Sequence, residues 1–450
     1  MDLFKEFDNW LDEQKRVQKI SGKQFIGCRG YGHFDSKRSI SRCCRSRKIR
    51  QEICDVNSLK RHKFWPFIRR DQKTRRYTKD IEKHLKIKVK LRKIMYASHM
   101  DAIILAFYAW LLKKNYEAKI SGVSASKSVI GYRKIPLNKR RNKSNIDFSK
   151  DIFDVICITD DSVLFCLDIK DFFGNISHED LLKATMRFAG NIPKENLEVI
   201  LKSVTKYRYI FRNDIEKKLG KDQQKWVNSR RYNELIRDTG LLHRNRQQKG
   251  IPQGSPVSDV LANIYLYDFD VWLAKKIERY HGVYRRYSDD ILIIVPASRA
   301  TEIYDEVCSY IEGEDFKLKI GKDKTEAFYI DAESRTFKDI TKEYVAGYLK
   351  NKESAQYLGF NINLHNISIR PGTIAKHYRK ETQKIKAKQT RKNQNTKKIS
   401  SQQSPPKRGK ITQKYIYLKL AAKKSQSSIP RQLRRVRKRT QKMCAKASRP

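Results

Sequence analysis

The stretch YRRYSDDILIIV, Tyr284–Val295, decides the reading of this chain. Val283–Tyr287 and Ile291–Val295 read as two strands joined by a short turn at Ser288-Asp289-Asp290, a β-hairpin. An acidic pair between buried strands is costly unless something cationic compensates it. Bound metal is the simplest compensation, although taken alone such a tip also fits an ordinary solvated turn.

Working outward, Val163–Asp168 (VLFCLD) reads as a second buried strand ending in a carboxylate. Transfer of a phosphoryl group to a growing strand needs two divalent metals a few ångströms apart. Mg²⁺ takes hard oxygen ligands, so such a site is built from Asp or Glu brought together from separate rigid segments. Asp168, Asp289 and Asp290 form such a set. Between them lies Gly250–Ser258 (GIPQGSPVS), a turn leading into a helix from about Ser258. Gly254 permits close backbone approach there, and the Gln253 amide can hydrogen-bond without charge.

Composition narrows the partner. The 450 residues carry 99 Lys+Arg against 49 Asp+Glu, a formal net charge of +50. That excess repels itself unless a polyanion neutralises it, and nucleic acid is the first candidate. Hydrophobic residues make up 39%, enough for a large core. The eight cysteines form no tight C-x-x-C pair, which fits free thiols in a reducing cytosol. Cys28, His33, Cys43, Cys44, Cys54 and His62 could supply zinc ligands, but their spacing matches no standard knuckle. The start MDLFKEFDNWLDEQKR is not a secretory signal, and the longest apolar run, Ala102–Leu112, is too short to span a bilayer.

Residues 1–84 read as a basic accessory region of loops and short helices. Residues 78–118 look helical, with Ala102, Leu105, Ala109 and Leu112 at helical spacing. Residues 121–150 contain a basic β-loop, and His178–Phe188 reads as a helix capped by Ser177. From Arg370 onward there are 27 Lys/Arg against one acidic residue, Glu381. That count leaves no carboxylate cluster for a metal nuclease in this stretch.

LDIKDFF, GIPQGSPVS, YSDD, DKTEAFY and YLGF resemble reverse-transcriptase motifs A to E, in that order, over roughly residues 120–365. RRYTKD, YASHMDAII, GYRKI and KSNIDFSKDIFD resemble the unknown-group and defence-associated bacterial enzymes. The resemblance implies an α+β right-hand polymerase. Its fingers and palm would span 85–365, with fingers from about 85–150 and part of 185–250. A small basic thumb and nucleic-acid-binding tail would span 366–450. It implies RNA-directed DNA synthesis, with an RNA template, a DNA product, dNTPs and two Mg²⁺ ions (Mn²⁺ can substitute). It also implies a noncoding RNA template, an antiphage role and a bacterial cytoplasmic location, with a protein partner or a second copy left open. The other readings are a template-independent or protein-primed nucleotidyl transferase and an inactive RNA-binding scaffold.

By the same resemblance Asp168 and Asp289 are metal ligands, Asp290 is the third acidic residue, and the Ile169 carbonyl completes the coordination shell. Phe173 is the steric gate against a 2′-hydroxyl. Gln253 and Gly254 touch the nucleotide, and Lys324 meets the leaving pyrophosphate. Arg133 and Lys134 grip the triphosphate, while Arg140, Arg141 and Lys143 are either solvated or on the template. Tyr357, Leu358, Gly359 and Phe360 form the primer grip. His99 and Asp101 read as a buried hydrogen-bonded pair with a structural task.

The segment RQLRRVRKRTQK, 431–442, reads as a basic arm tracking phosphates. Truncation at about residue 425 should weaken template binding and flatten its salt dependence by roughly 0.7–0.9 in log–log slope for each phosphate the arm neutralises. A salt slope identical to that of the full chain would refute the arm.

Overall fold

The computed structural model describes residues 2–21, 31–35, 46–79, 85–138, 141–236 and 240–395, with isolated positions between 432 and 441. Cys28, Cys43, Cys44, Arg140 and nearly all of the basic tail beyond Asn395 lie outside the described residues. Among the described residues no helix is long and apolar enough to cross a membrane.

The N-terminal region is more ordered than its composition suggests. Helix Leu3–Ser21 buries Phe7 and Trp10 against Phe107, at ring distances of 5.2 and 5.9 Å. Strands β1 (Phe67–Lys79) and β2 (Leu85–Tyr96) form a long antiparallel ribbon running from Ile68 opposite Tyr96 to Lys79 opposite Leu85. The helical expectation for 78–118 is therefore correct only from His99. Leu85-Lys86-Ile87-Lys88-Val89-Lys90-Leu91 alternates with period two, the strand signal, and the helical pattern starts only after Ser98 caps His99–Ile120. That helix is buried on nearly every side and forms the spine of the main core.

Strands β3 (Pro136–Asn138) and β4 (Arg141–Asn142) form the expected small β-loop. Strand β5 (Ser162–Asp168) is buried along its whole length. Strands β6 (Arg208–Phe211) and β7 (His243–Arg244) extend the ribbon, β6 lying parallel to β1. Strands β8 (Val283–Tyr287) and β9 (Asp290–Pro296) make the predicted hairpin, with Asp290 already in β9. With β10 (Glu326–Asp331) and β11 (Thr336–Asp339) they build a five-stranded sheet, β11-β10-β5-β9-β8. Helices Ser258–Tyr265, Tyr267–Arg279 and Ala300–Glu312 bury apolar side chains in the core that also takes one face of this sheet. The other face meets β12 (Ala355–Tyr357), β13 (Phe360–Ile362) and β14 (Ile367–Ile369) in a second core. Helix Pro371–Asn395 follows.

His62 ties the N-terminal segment to the spine. Its Nδ1 pairs with Glu52 Oε1 and its Nε2 with Asp101 Oδ1, each at 2.7 Å, while Trp65 N–H donates to Asp101 Oδ2 at 2.9 Å. Beside it, His99 Nδ1 lies 2.7 Å from Asp35 Oδ1. His99 and Asp101 thus do sit in buried hydrogen bonds. His33 is spent on the Pro66 carbonyl, and Cys54 Sγ on the Leu3 carbonyl. Among the described residues no His, Cys, Asp or Glu group of three gathers around a metal-sized site.

Burial by itself pushes the His62 imidazole down, but the hydrogen bonds and charge of Asp101 and Glu52 outweigh it and raise it to about 9. The folded chain therefore holds a proton that the unfolded chain gives up near 6.5. That stabilisation, roughly 3 kcal/mol, is complete below 6.5 and is lost as pH climbs through about 9. His62→Gln should lower the thermal midpoint most just below pH 6.5. The gap to the parent chain should close by pH ~10, and a gap independent of pH would show that the imidazolium is not the link.

Candidate active site

The ends of β5 and β9 bring the predicted carboxylates together. Asp168 lies directly opposite Asp290 in the antiparallel register, and Ile169 N–H donates to the Asp289 carbonyl at 3.0 Å. The turn between β8 and β9 has two residues, with Ser288 at φ 61°, a conformation usually left to glycine. Three contacts hold it there. Tyr132 Oη donates to Ser288 Oγ at 3.1 Å, and Arg286 Nη1 donates to the Ser288 carbonyl at 3.0 Å. Gly131 lies so close that a Cβ would sit 2.7 Å from Ser288 N.

Arg286 itself is fully buried. Its guanidinium meets Asp270 through Nε at 2.7 Å and Nη2 at 2.6 Å, and both side chains are 0% exposed. Asp270 also accepts from Tyr284 Oη at 2.6 Å, and Asn263 Oδ1 accepts from Arg286 Nη2 at 3.3 Å. The Arg286 carbonyl takes the N–H groups of Ile130 and Gly131. The turn that carries Asp289 is thus clasped from helices Ser258–Tyr265 and Tyr267–Arg279 and from the 130–132 segment.

Burial pushes the Asp168 carboxyl up; the Lys324 ammonium, ion-paired to its Oδ2, holds part of that back, and Asp289 adds to it. The surrounding protein, then the charges of Asp289 and Asp168, push Asp290 up to about 7 although the residue keeps solvent contact. Lys324 and Lys90 oppose both shifts. These carboxyls are hard oxygen donors carrying more negative charge than the neighbouring lysines neutralise, and that donor chemistry fits divalent magnesium.

The remaining predicted residues each have defined local partners. Phe172 is core, whereas Phe173 stays half-buried, and its carbonyl accepts from Ile251 N–H at 2.8 Å. The Gln253 carbonyl accepts from Met95 N–H at 2.9 Å. Gly254, at φ 110°, passes so close to the ribbon that a Cβ would sit 2.7 Å from the Met95 carbonyl. Leu358 and Gly359 both have positive φ, 45° and 93°, making a tight two-residue turn between buried Tyr357 and Phe360.

Arg133 is engaged within the chain. Its guanidinium is clamped by Glu117, at 2.8–3.2 Å, and by the Ser126 and Val129 carbonyls, which leaves the side chain only 7% exposed. Lys134 pairs with Glu13 at 3.0 Å, and Arg141 and Lys143 pair with Asp147 and Asp151. Four residues of the site gave no sign of their role in the sequence. Lys90 acts electrostatically on Asp168 and Asp290, a role hidden by reading its strand as helix. Gly321 donates its N–H to the Asp168 carbonyl at 2.7 Å, and a Cβ there would lie 3.5 Å from Asp168 Oδ2. Arg286 and Asp270 carried no signal beyond a charge inside an apolar pattern.

The family model described as reverse transcriptase (RNA-dependent DNA polymerase) matches residues 138–362, half of the chain. No curated protein matches. Among solved structures, an apo telomerase from Candida tropicalis is 10% identical, with a TM-score of 0.38, and the match covers 72% of this chain and 53% of that one. A version of that enzyme truncated from its C-terminal domain is 10% identical at a TM-score of 0.36, covering 68% and 57%. Telomerase from Candida albicans in complex with the TWJ fragment of telomeric RNA is 12% identical, at 0.37, covering 69% and 47%. The chain spans about half the length of these structures.

Removing one partner of a buried ion pair leaves an uncompensated charge, at a cost of about 3–5 kcal/mol. Asp270→Asn should therefore lower the denaturation free energy by about that much. The double variant Asp270→Leu/Arg286→Met should recover most of it, because apolar replacements of a buried pair are often neutral. Its nucleotidyl transfer should stay low, since no guanidinium then holds the Ser288 carbonyl. Recovery of both stability and activity would show that the clasp does not position the turn.

Proposed function

The chain belongs to the reverse transcriptase family, and on that premise we propose that it is an RNA-directed DNA polymerase acting through Asp168, Asp289 and Asp290. The observation carrying this reading is that Asp168 lies directly opposite Asp290 across β5 and β9, with Asp289 next to it in the turn and Lys324 paired to Asp168. In this reading the five-stranded sheet is the palm and the β1–β2 ribbon is part of the fingers. Helix Pro371–Asn395 begins the thumb.

Asp168 and Asp289, with the Ile169 carbonyl, would hold the divalent ions, and Asp290 supports them from the opposite strand. Bound magnesium supplies Lewis-acid activation of the primer 3′-oxygen and charge compensation on the triphosphate. The chain's own residues do the rest. Phe173 occupies the side of the cleft where a 2′-hydroxyl would fall, selecting dNTPs. Gln253 and Gly254, pinned to Met95, face the nucleotide and templating base. Lys90 and Lys324 meet phosphate charge, with Lys324 passing from Asp168 to the departing pyrophosphate. Arg133 and Lys134, engaged with Glu117 and Glu13, are left out of this set. The Tyr357–Phe360 turn holds the primer backbone.

The likeness of RRYTKD, YASHMDAII, GYRKI and KSNIDFSKDIFD to defence-associated bacterial enzymes extends the proposal to copying a noncoding RNA in antiphage defence, in the bacterial cytoplasm. A plaque assay with the parent chain and Asp289→Ala tests that extension, and equal protection by both would end it.

Incorporation of labelled dNTPs by the purified protein with its co-purifying RNA and Mg²⁺ should be lost in Asp289→Ala. Phe173→Ala should raise rNTP use relative to dNTP roughly tenfold or more. Incorporation that survives RNA removal would replace this reading with a template-independent transferase. RNA binding without incorporation in either protein would replace it with a scaffold.

A further inference from the structure

Phe173 sits in a helix of four residues, Phe172–Asn175, entered through Asp171 at φ 47°. A single turn does not hold itself, because the first hydrogen bond of a helix costs more order than it returns. The placement of Phe173 is therefore set from outside the turn. The outside partner is the segment 248–251. Ile251 N–H donates to the Phe173 carbonyl and Gly250 N–H to the Ile176 carbonyl, each at 2.8 Å. His178 N–H donates to the Gln248 carbonyl at 3.0 Å. The two backbones pass so close that a Cβ on Gly250 would sit 3.0 Å from the Gly174 carbonyl.

Two side chains join this pairing. Lys249 Nζ reaches Asn175 Oδ1 at 3.1 Å from an exposed position, where water competes for it. The His178 ring is half-buried, and its Nε2 donates to the Gly250 carbonyl at 2.8 Å. A ring nitrogen that faces a carbonyl must carry the proton. Burial holds the imidazole below its ordinary range, so this neutral form is the one present at neutral pH. Asn245 Nδ2 approaches the same carbonyl at a longer 3.3 Å.

The Gly250 carbonyl and the Ile251 N–H are the two ends of one planar peptide group. His178 grips one end, and the other end holds Phe173. Fixing the carbonyl fixes the plane, and the plane fixes the direction of the N–H. Hydrogen bonds at both ends of an amide also polarise and strengthen each other. We propose that His178 is a positioning residue for sugar selection, acting through the Gly250–Ile251 peptide on Phe173. This inference rests on the polymerase reading above, with Phe173 as the gate against a 2′-hydroxyl. His178 itself touches no nucleotide; it sets how firmly the Phe173 ring is held where the sugar falls.

The test compares His178→Leu and His178→Gln with the parent, all as full chains. Leucine keeps the bulk and loses the donor, whereas the glutamine amide can still donate to the Gly250 carbonyl. The readout is kcat/KM for an rNTP divided by kcat/KM for the matching dNTP. In His178→Leu that ratio should rise roughly three- to tenfold, the worth of one hydrogen bond. His178→Gln should keep the parent ratio. In a Phe173→Ala background the leucine substitution should move the ratio by less than about twofold, because two residues acting through one contact are not additive. An unchanged ratio in His178→Leu would overturn the proposal, and so would an equal rise with Phe173 already removed. If the leucine variant melts below the assay temperature, His178→Asn replaces it, being polar but too short to reach the carbonyl. Amide exchange read by mass spectrometry needs no turnover. Peptides covering 249–253 should exchange at least about threefold faster in His178→Leu than in His178→Gln, since the local opening loses one hydrogen bond. Equal exchange in the two variants would overturn the link even if the ratios differ. A parent that incorporates neither nucleotide would sink the polymerase reading and the gate with it, while exchange still judges the His178–Gly250 bond.

Discussion

The pair between Arg286 and Asp270 is the constraint on which the geometry of the carboxylate turn depends. Two charges with no solvent access are tolerated only when every donor and lone pair finds a partner. Here Tyr284, Asn263 and the Ser288 carbonyl supply those partners. One of them is the turn that carries Asp289, so satisfying the buried arginine also sets the turn. Ser288 can hold its left-handed conformation because the clasp and Tyr132 over-determine it. Without that, a serine at such φ would relax, and the Asp289 backbone would leave Ile169.

A second constraint is electrostatic. A chain with a net charge of +50 concentrates three carboxyls at one pair of strand ends. Burial first, and then the neighbouring carboxylates, push the Asp168 and Asp290 carboxyls up, and Lys324 and Lys90 offset only part of it.

The N-terminal region is wired into this machinery rather than appended to it. His62 bridges Glu52 to Asp101 at the start of the spine helix, and that helix follows directly on β2. Through Met95, β2 holds both Gln253 and the close passage of Gly254. Hydrogen bonds thus run from the first hundred residues to the Gln253–Gly254 loop.

Local sequence determined the strands that end in Asp168 and begin at Asp290, the hairpin between β8 and β9 and the helix capped by Ser177. Each of these rests on a short-range pattern of apolar residues, turn residues and caps, which neighbouring positions alone express. The three carboxylates were legible for the same reason, because charges at the ends of apolar strands demand explanation. The period-two run from Leu85 to Leu91 was equally legible, yet the helix beginning at His99 masked it. Only the tertiary structure decided what the other polar residues do. Arg133 and Arg286 look alike as basic residues beside apolar runs, but one is clamped by Glu117 and the other by Asp270, 16 residues away in sequence in each case. Lys324 meets Asp168 across 156 residues, and Gly321 packs on the same carboxylate. Such partners are chosen by chain packing at long range, which no local pattern encodes.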